Sequence, residues 1–196
     1  MRKKSHISLA KYLVETMDVQ ELSNHRKAFI IGNILPDCKP SFLTKKHEFA
    51  GTFEDVKKQI KNLTNDCNVY TRNERVYWRR LGEVIHYIAD YFTFPHNKNY
   101  DGNLKDHCSY EQELKLMIRE YIKSGNAAKD RKSIIELRSL DDLFGFIERK
   151  HQEYLEVKSN LSKDIQYIFD VCHQIVYSVL ALFNFKLESI LWPVVA

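Results

Sequence analysis

At 196 residues the chain is long enough to bury one sizeable core and short for two, so a single domain over 1–196 is the expectation. Hydrophobic residues at 44% and charged residues at 29% match an ordinary soluble protein, and a net charge of +4 from 30 basic and 26 acidic residues is too small and too mixed to indicate a nucleic-acid groove. Six glycines, four prolines and few alternating apolar–polar stretches weigh against a sheet, while four cysteines without a Cys-x-x-Cys weigh against a thiolate zinc knuckle or a redox dithiol.

In chain order the pattern predicts an all-α, single-domain multi-helix bundle. Met1-Arg2-Lys3-Lys4 has the charge of a signal-peptide start, but His6, Ser8, Lys11 and Glu15 break up the apolar run that a signal peptide needs next. With no continuous apolar run of 18 residues either, a cytoplasmic protein without a membrane span is expected. Ser5 reads as the N-cap of a first helix whose Leu9, Ala10, Leu13, Val14 and Met17 form a buried stripe that His6 begins. A second helix over 24–34 stops before Leu35-Pro36-Asp37, because the residue ahead of a proline is pushed out of the α region; Asp37 therefore falls on a loop. A short helix over 53–63 and a loop over 64–72 precede the clearest helix, 74–92, with Tyr77, Leu81, Val84, Ile85, Ile88 and Phe92 on its apolar face.

On that helix Gly82, His86 and Asp90 form a separate row. Gly82 reads as a point of close helix approach, and Pro95 leaves His96 just past the helix end. After a turn-rich stretch Asp106 is read as the cap of a helix carrying His107 and Glu111, which stops near Ser124-Gly125-Asn126. Segments 139–155 and 163–191 close the bundle, and the apolar stretch 183–196 is read as sealing the core rather than docking on a surface.

Chemistry concentrates between His86 and Glu111. In His86-x-x-x-Asp90 and His107-x-x-x-Glu111 the two side chains of each pair project from one helix face and can close on one ion. A single such pair is ordinarily a surface contact worth tenths of a kcal/mol. Asp90, however, sits in a markedly apolar helix, where an unpaired carboxylate costs several kcal/mol and a metal ion removes the cost. With His6, Asp37, His47 and His96 the set reads as a multinuclear zinc centre. Other metal motifs fail on spacing: His47-Glu48 lacks the second histidine of His-Glu-x-x-His, the pairs run opposite to the Glu-x-x-His of di-iron bundles, and Asp106-His107 reverses a His-Asp pair. His25 and His151, beside charged residues, are expected in solvent, and His173 in the core; Lys45-Lys46 beside His47 would attract an anionic substrate.

Taken in order, Asp37, His47, His86-x-x-x-Asp90, His96 and His107-x-x-x-Glu111, preceded by the helix histidine His6, resemble the zinc ligands of the bacterial zinc-dependent phospholipase C family. The all-α fungal single-strand-specific zinc nucleases use a similar centre. The likeness spans roughly 5–120. It implies that His47, His86, Asp37 and Asp90 hold one zinc ion, that Asp90 bridges to a second bound by His6, and that His96, His107 and Glu111 hold a third. It also implies that Asp37 orients or deprotonates the attacking water.

Two departures bear on the count of ions and the substrate. The family's secreted enzymes complete one site with the amino and carbonyl groups of an N-terminal tryptophan, about a dozen residues before the helix histidine. Here His6 follows Met1 by five, so that site is completed by Met1 or is weak, leaving two or three Zn2+. The acidic and aromatic residues that surround choline in the bacillary lipases are replaced by Lys3, Lys4, Cys38 and Thr44. Tyr87, Tyr91, Phe92 and Phe94 remain to stack a base, line a lipid groove or fill the core.

The sequence therefore points to a zinc-dependent phosphodiesterase using metal-activated water on a phospholipid or another phosphodiester, with peripheral membrane contact an option and single-stranded nucleic acid less favoured. The alternative is a zinc-binding protein with a structural or sensing role. Nothing in the pattern sets the oligomeric state.

Overall fold

The computed structural model describes residues 1–38, 47–65, 73–157 and 160–191, with side chains as far as 184. Lys45, Lys46 and most of the 64–72 stretch lie outside them. Among the described residues there are nine α-helices and no strand. These are α1 (Lys3–Thr16), α2 (Gln20–Asn24), α3 (Arg26–Gly32), α4 (Phe49–Asn65), α5 (Glu74–Tyr91), α6 (Leu104–Lys123), α7 (Asn126–Lys129), α8 (Leu140–Glu156) and α9 (Leu161–Leu191). Two 3-10 turns, Pro36–Cys38 and Phe94–His96, carry Asp37 and His96.

Helix α5 is the axis of the fold, packed against α3, α4 and α9, while α1 lies along α6. Its sequence explains its place: Tyr77, Leu81, Val84, Ile85 and Ile88 are buried, and the Asn73 side chain accepts from Val76 N–H at 3.2 Å to cap its start. Gly82 meets Gly32 at the α3–α5 crossing. A Cβ on Gly82 would stand 2.2 Å from Phe29 O, and one on Gly32 2.0 Å from Arg79 O, so only two glycines let the backbones touch. That contact brings the end of α3 against the face of α5 that bears His86.

Local sequence signals mislead at several boundaries. Arg2, not Ser5, occupies the α1 N-cap position, and Ser5 sits buried in the first turn. The helix expected over 24–34 is the shorter α3, which starts after His25, and α2 ahead of it is unexpected; the helix expected over 53–63 runs from Phe49 to Asn65. At α6 the cap is Asn103, and Asp106 is the third residue of a capping box, returning a bond to the Asn103 N–H at 3.3 Å. Helix α5 ends at Tyr91, ahead of Pro95. Asn97 Nδ2 donates to the carbonyls of Tyr91 at 3.1 Å and Thr93 at 3.0 Å, satisfying groups that the helix end leaves bare.

The C-terminal helix is also more apolar than expected. Leu161–Asn184 is long and apolar enough to cross a membrane by length and composition, but 67% of its most apolar window is buried within the fold. Lys163, Asp164 and Asp170 interrupt the run in sequence, while Ile168, Ile175, Val176 and Val179 pack in the core. Tyr91 and Phe92 are fully buried too, which settles those two aromatics as packing. Cys38, Cys108 and Cys172 are free thiols.

Candidate metal centre

All eight sequence-predicted residues come together where α1, α5, α6, the two 3-10 turns and, with His47, the residues just ahead of α4 meet. They form three groups, the first two sharing His86: His6, Asp37 and His86; His47, His86 and Asp90; and His96, His107 and Glu111. Asp90, wholly buried, is the hub. Its Oδ2 lies 3.1 Å from His47 Nδ1, 3.3 Å from His86 Nε2 and 3.6 Å from His96 Nδ1, while Oδ1 lies 3.3 Å from His6 Nε2. Asp37 Oδ1 stands 3.6 Å from His86 Nε2 and 3.8 Å from His47 Nδ1. On the far side Glu111 Oε1 is 3.3 Å from His107 Nε2 and 3.6 Å from His96 Nε2.

The amino group of Met1 sits between the groups, 2.6 Å from Asp90 Oδ1, 3.2 Å from His96 Nε2 and 3.4 Å from Glu111 Oε1. Burial works against its charge, but Asp90 and Glu111 more than offset this and hold its pKa above the ordinary value. Reciprocally, burial alone would raise the Asp90 carboxyl, yet the Met1 amine and the His96, His86 and His6 rings keep it well below the usual carboxylate range. Burial likewise opposes ionisation of Glu111, and hydrogen bonds from His107 and His96 outweigh it. Asp37 behaves differently: burial raises its pKa and the charge of Asp90 adds to the rise.

Two observations test whether the set fits zinc. First, five imidazoles and three carboxylates without a thiolate are the donors of catalytic rather than structural zinc. Second, His6 is fully buried, and neither of its ring nitrogens has a hydrogen-bond partner, Nε2 lying 3.3 Å from Asp90 Oδ1. Burial, then the neighbouring His86, lowers its pKa to about 3, so the ring is neutral and holds a lone pair that no protein donor uses. It stacks on His86 with ring centroids 4.0 Å apart. A bound cation would satisfy this nitrogen, so the residues fit the metal.

Sequence reasoning missed the supports. His86 Nδ1 donates to the Asn33 carbonyl at 2.8 Å, which fixes the ring and leaves Nε2 free toward Asp90 and His47. Gly82, one turn below His86, is the only signal in the sequence for this contact. His151 is not in solvent but 5% exposed, its Nε2 bonded to Asn97 Oδ1 at 2.9 Å and its ring stacked on Phe49. Through Asn97 it steadies the turn that carries His96. Asp164 on α9 accepts from the Phe94 N–H at 3.3 Å and from the Tyr110 hydroxyl, tying that same turn to α6. His25 is half-buried against Trp78, and His173 is buried; neither belongs to the three groups.

The centre opens on a groove of about 840 Å3 reached past Asp37, His47, His96, His107 and Glu111. A family model described as zinc dependent phospholipase C matches residues 5–161. The chain belongs to this family. The matched span extends beyond the stretch carrying the candidate ligands, through α8 to the first residue of α9. No curated protein and no solved structure matches the chain. As a zinc-dependent phospholipase C family member it is, in general class, a phosphodiesterase-type hydrolase with an all-α fold.

Proposed function

We propose that the chain hydrolyses a phospholipid-type phosphodiester with zinc-activated water. The observation that carries this reading is the convergence of eight donors, five lining an open groove and His6, His86 and Asp90 buried behind them, with the His6 ring orphaned. His47, His86, Asp37 and Asp90 would hold one ion, Asp90 and His6 a second, and His96, His107 and Glu111 a third, with the Met1 amine a further donor once deprotonated. Zinc held there supplies water that ionises near pH 7 and positive charge against the charge developing on the phosphoryl oxygens.

The chain's own residues do the rest. The Asn33 carbonyl fixes which His86 nitrogen faces the centre. Asp90, held ionised, keeps the imidazoles around one point. Asp37 lies at the groove wall, its Oδ1 3.6 Å from His86 Nε2 and 3.8 Å from His47 Nδ1, which makes it the carboxylate placed to orient the attacking water or take its proton.

The test is hydrolysis of an aryl phosphodiester by protein purified without chelating resin, stripped of metal and then reloaded. Turnover that disappears with the metal and returns with zinc supports the reading. Zinc uptake with no turnover overturns it in favour of a structural or sensing site.

A further inference from the structure

The groove walls differ along their length. Leu104, Cys108, Glu111 and Lys115 line it from one face of α6, spaced by four, three and four residues. At 1.5 Å per residue Leu104 lies about 10 Å before Glu111, and Lys115 about 6 Å after it. The metal cluster therefore sits between an apolar end and a cationic end. At the first, Leu104 is 78% exposed and shares the wall with Pro95 and Tyr100. At the second, Lys115 faces Arg2, Lys3 and Lys4 from the start of α1.

These cations are gathered without acids to neutralise them. Arg2 Nη1 and Lys115 Nζ both donate to one neutral oxygen, Gln112 Oε1, each at 2.8 Å, and Arg2 Nη2 donates to the Cys108 carbonyl at 3.0 Å. Among the described residues no carboxylate pairs with Arg2, Lys3, Lys4 or Lys115. The acids lining the groove are Asp37 and Glu111, which belong to the metal cluster, and Glu48 beside His47. Desolvation first, and then the like charges of Arg2, Arg119 and Lys4, lower the Lys115 pKa.

We infer that the groove selects a phospholipid whose headgroup is itself anionic, carrying a carboxylate or a second phosphate, with the glycerol side toward Leu104 and the headgroup toward Arg2, Lys4 and Lys115. This rests on the phosphodiesterase reading above and names its substrate class. A choline headgroup would bring a cation against four cations. A polynucleotide carries charge on both sides of the scissile phosphate, whereas among the described residues no cation lines the groove at its Leu104 end. In the reaction the oxygen of water joins phosphorus and the phosphorus–oxygen bond to glycerol breaks. One water proton leaves on the diacylglycerol hydroxyl, and the other stays on the phosphorylated headgroup or passes to solvent.

The experiment compares zinc-loaded protein on two soluble short-chain lipids, dihexanoyl phosphatidylinositol 4-phosphate and dihexanoyl phosphatidylcholine. We expect kcat/KM to favour the first by about tenfold or more, each tenfold being 1.4 kcal/mol, and the double substitution Lys4→Glu with Lys115→Glu to abolish or invert the preference. A second measurement needs no turnover: metal-stripped protein should sediment with phosphatidylserine vesicles and not with phosphatidylcholine vesicles, and the double variant should lose that binding. Equal rates on the two lipids, or a single-stranded oligonucleotide hydrolysed faster than either, overturn the inference while leaving the phosphodiesterase reading standing. Failure to cleave any diester, the aryl one included, overturns that reading instead, and the vesicle comparison then decides the charge complementarity by itself.

Discussion

Two buried histidines near the axis of the bundle, His6 and His151, have similar surroundings by burial and opposite ones by bonding. Burial lowers both pKa values, to about 3 for His6 and about 4 for His151. Yet His151 Nε2 meets Asn97 Oδ1 at 2.9 Å, while both ring nitrogens of His6 are without a hydrogen bond beside Asp90. Burial and a depressed pKa therefore do not single out a metal ligand. What marks His6 as a candidate ligand is an unpartnered ring nitrogen set beside Asp90 and stacked on His86, where a cation would repay its desolvation.

The sharpest way to break this distinction is to remove the hub. Asp90→Asn takes the negative charge from between His6, His47, His86 and His96, and should lower zinc content by at least one ion per chain and the hydrolysis rate by more than about 100-fold, since loss of a mere supporting contact already costs 10–100-fold. Zinc measured by elemental mass spectrometry on the monodisperse folded fraction checks it. His173→Ala, in the core but outside the cluster, should leave zinc content unchanged. Equal metal loss from both variants would mean that folding, not ligation, was being read.

A smaller effect is expected from the glycine crossing. In Gly82→Ala the new methyl group would lie 2.2 Å from Phe29 O, so α3 and α5 must separate, at a cost of about 1–3 kcal/mol in stability. Because the same crossing delivers the Asn33 carbonyl to His86, zinc affinity should fall with it, by roughly 10–100-fold in a competition titration. Gly145→Ala on α8 is the counterpart. Its Cβ meets only the end of the flexible Arg149 side chain at 3.2 Å, so the substitution should stabilise the helix by up to about 1 kcal/mol and leave zinc binding alone. A loss of affinity in both would show that the crossing does not position His86.

Which groups were legible in the sequence depends on what kind of group does the work. His86-x-x-x-Asp90 and His107-x-x-x-Glu111 could be read because helical spacing fixes the geometry within each pair, and both pairs lie on helices that the apolar periodicity marks clearly. The Asn33 carbonyl and the Met1 amine could not, because backbone groups carry no residue signature. Nor could the burial of His151: its partner Asn97 and its stacking surface Phe49 come from distant elements, and the charged neighbours in sequence face the other side of α8. Caps failed for a local reason. Asn103 and Asp106 are both good capping residues, and choosing the second mistakes the return half of a capping box for its start.

The smallest effect tests the bonded histidine alone, in chelated protein so that zinc plays no part. The His151 ring is held neutral in the fold, by burial first and by Lys98 second, with a pKa of about 4 against an ordinary 6.5. The unfolded chain therefore takes up the proton first as pH falls. The stability that depends on a neutral ring is complete above pH 6.5 and is lost as pH drops toward 4, by on the order of 3 kcal/mol across that window. His151→Gln keeps an N–H for Asn97 Oδ1 but has nothing to titrate. It should be less stable than the parent at pH 7, where the Phe49 stacking is missing, and should close or reverse the gap by pH 4, as read from denaturant midpoints at several pH values. His6 titrates in both proteins and cancels from the difference. Parallel curves would show that His151 takes up its proton without cost, and that the turn carrying His96 is held by Asp164 and Tyr110 instead.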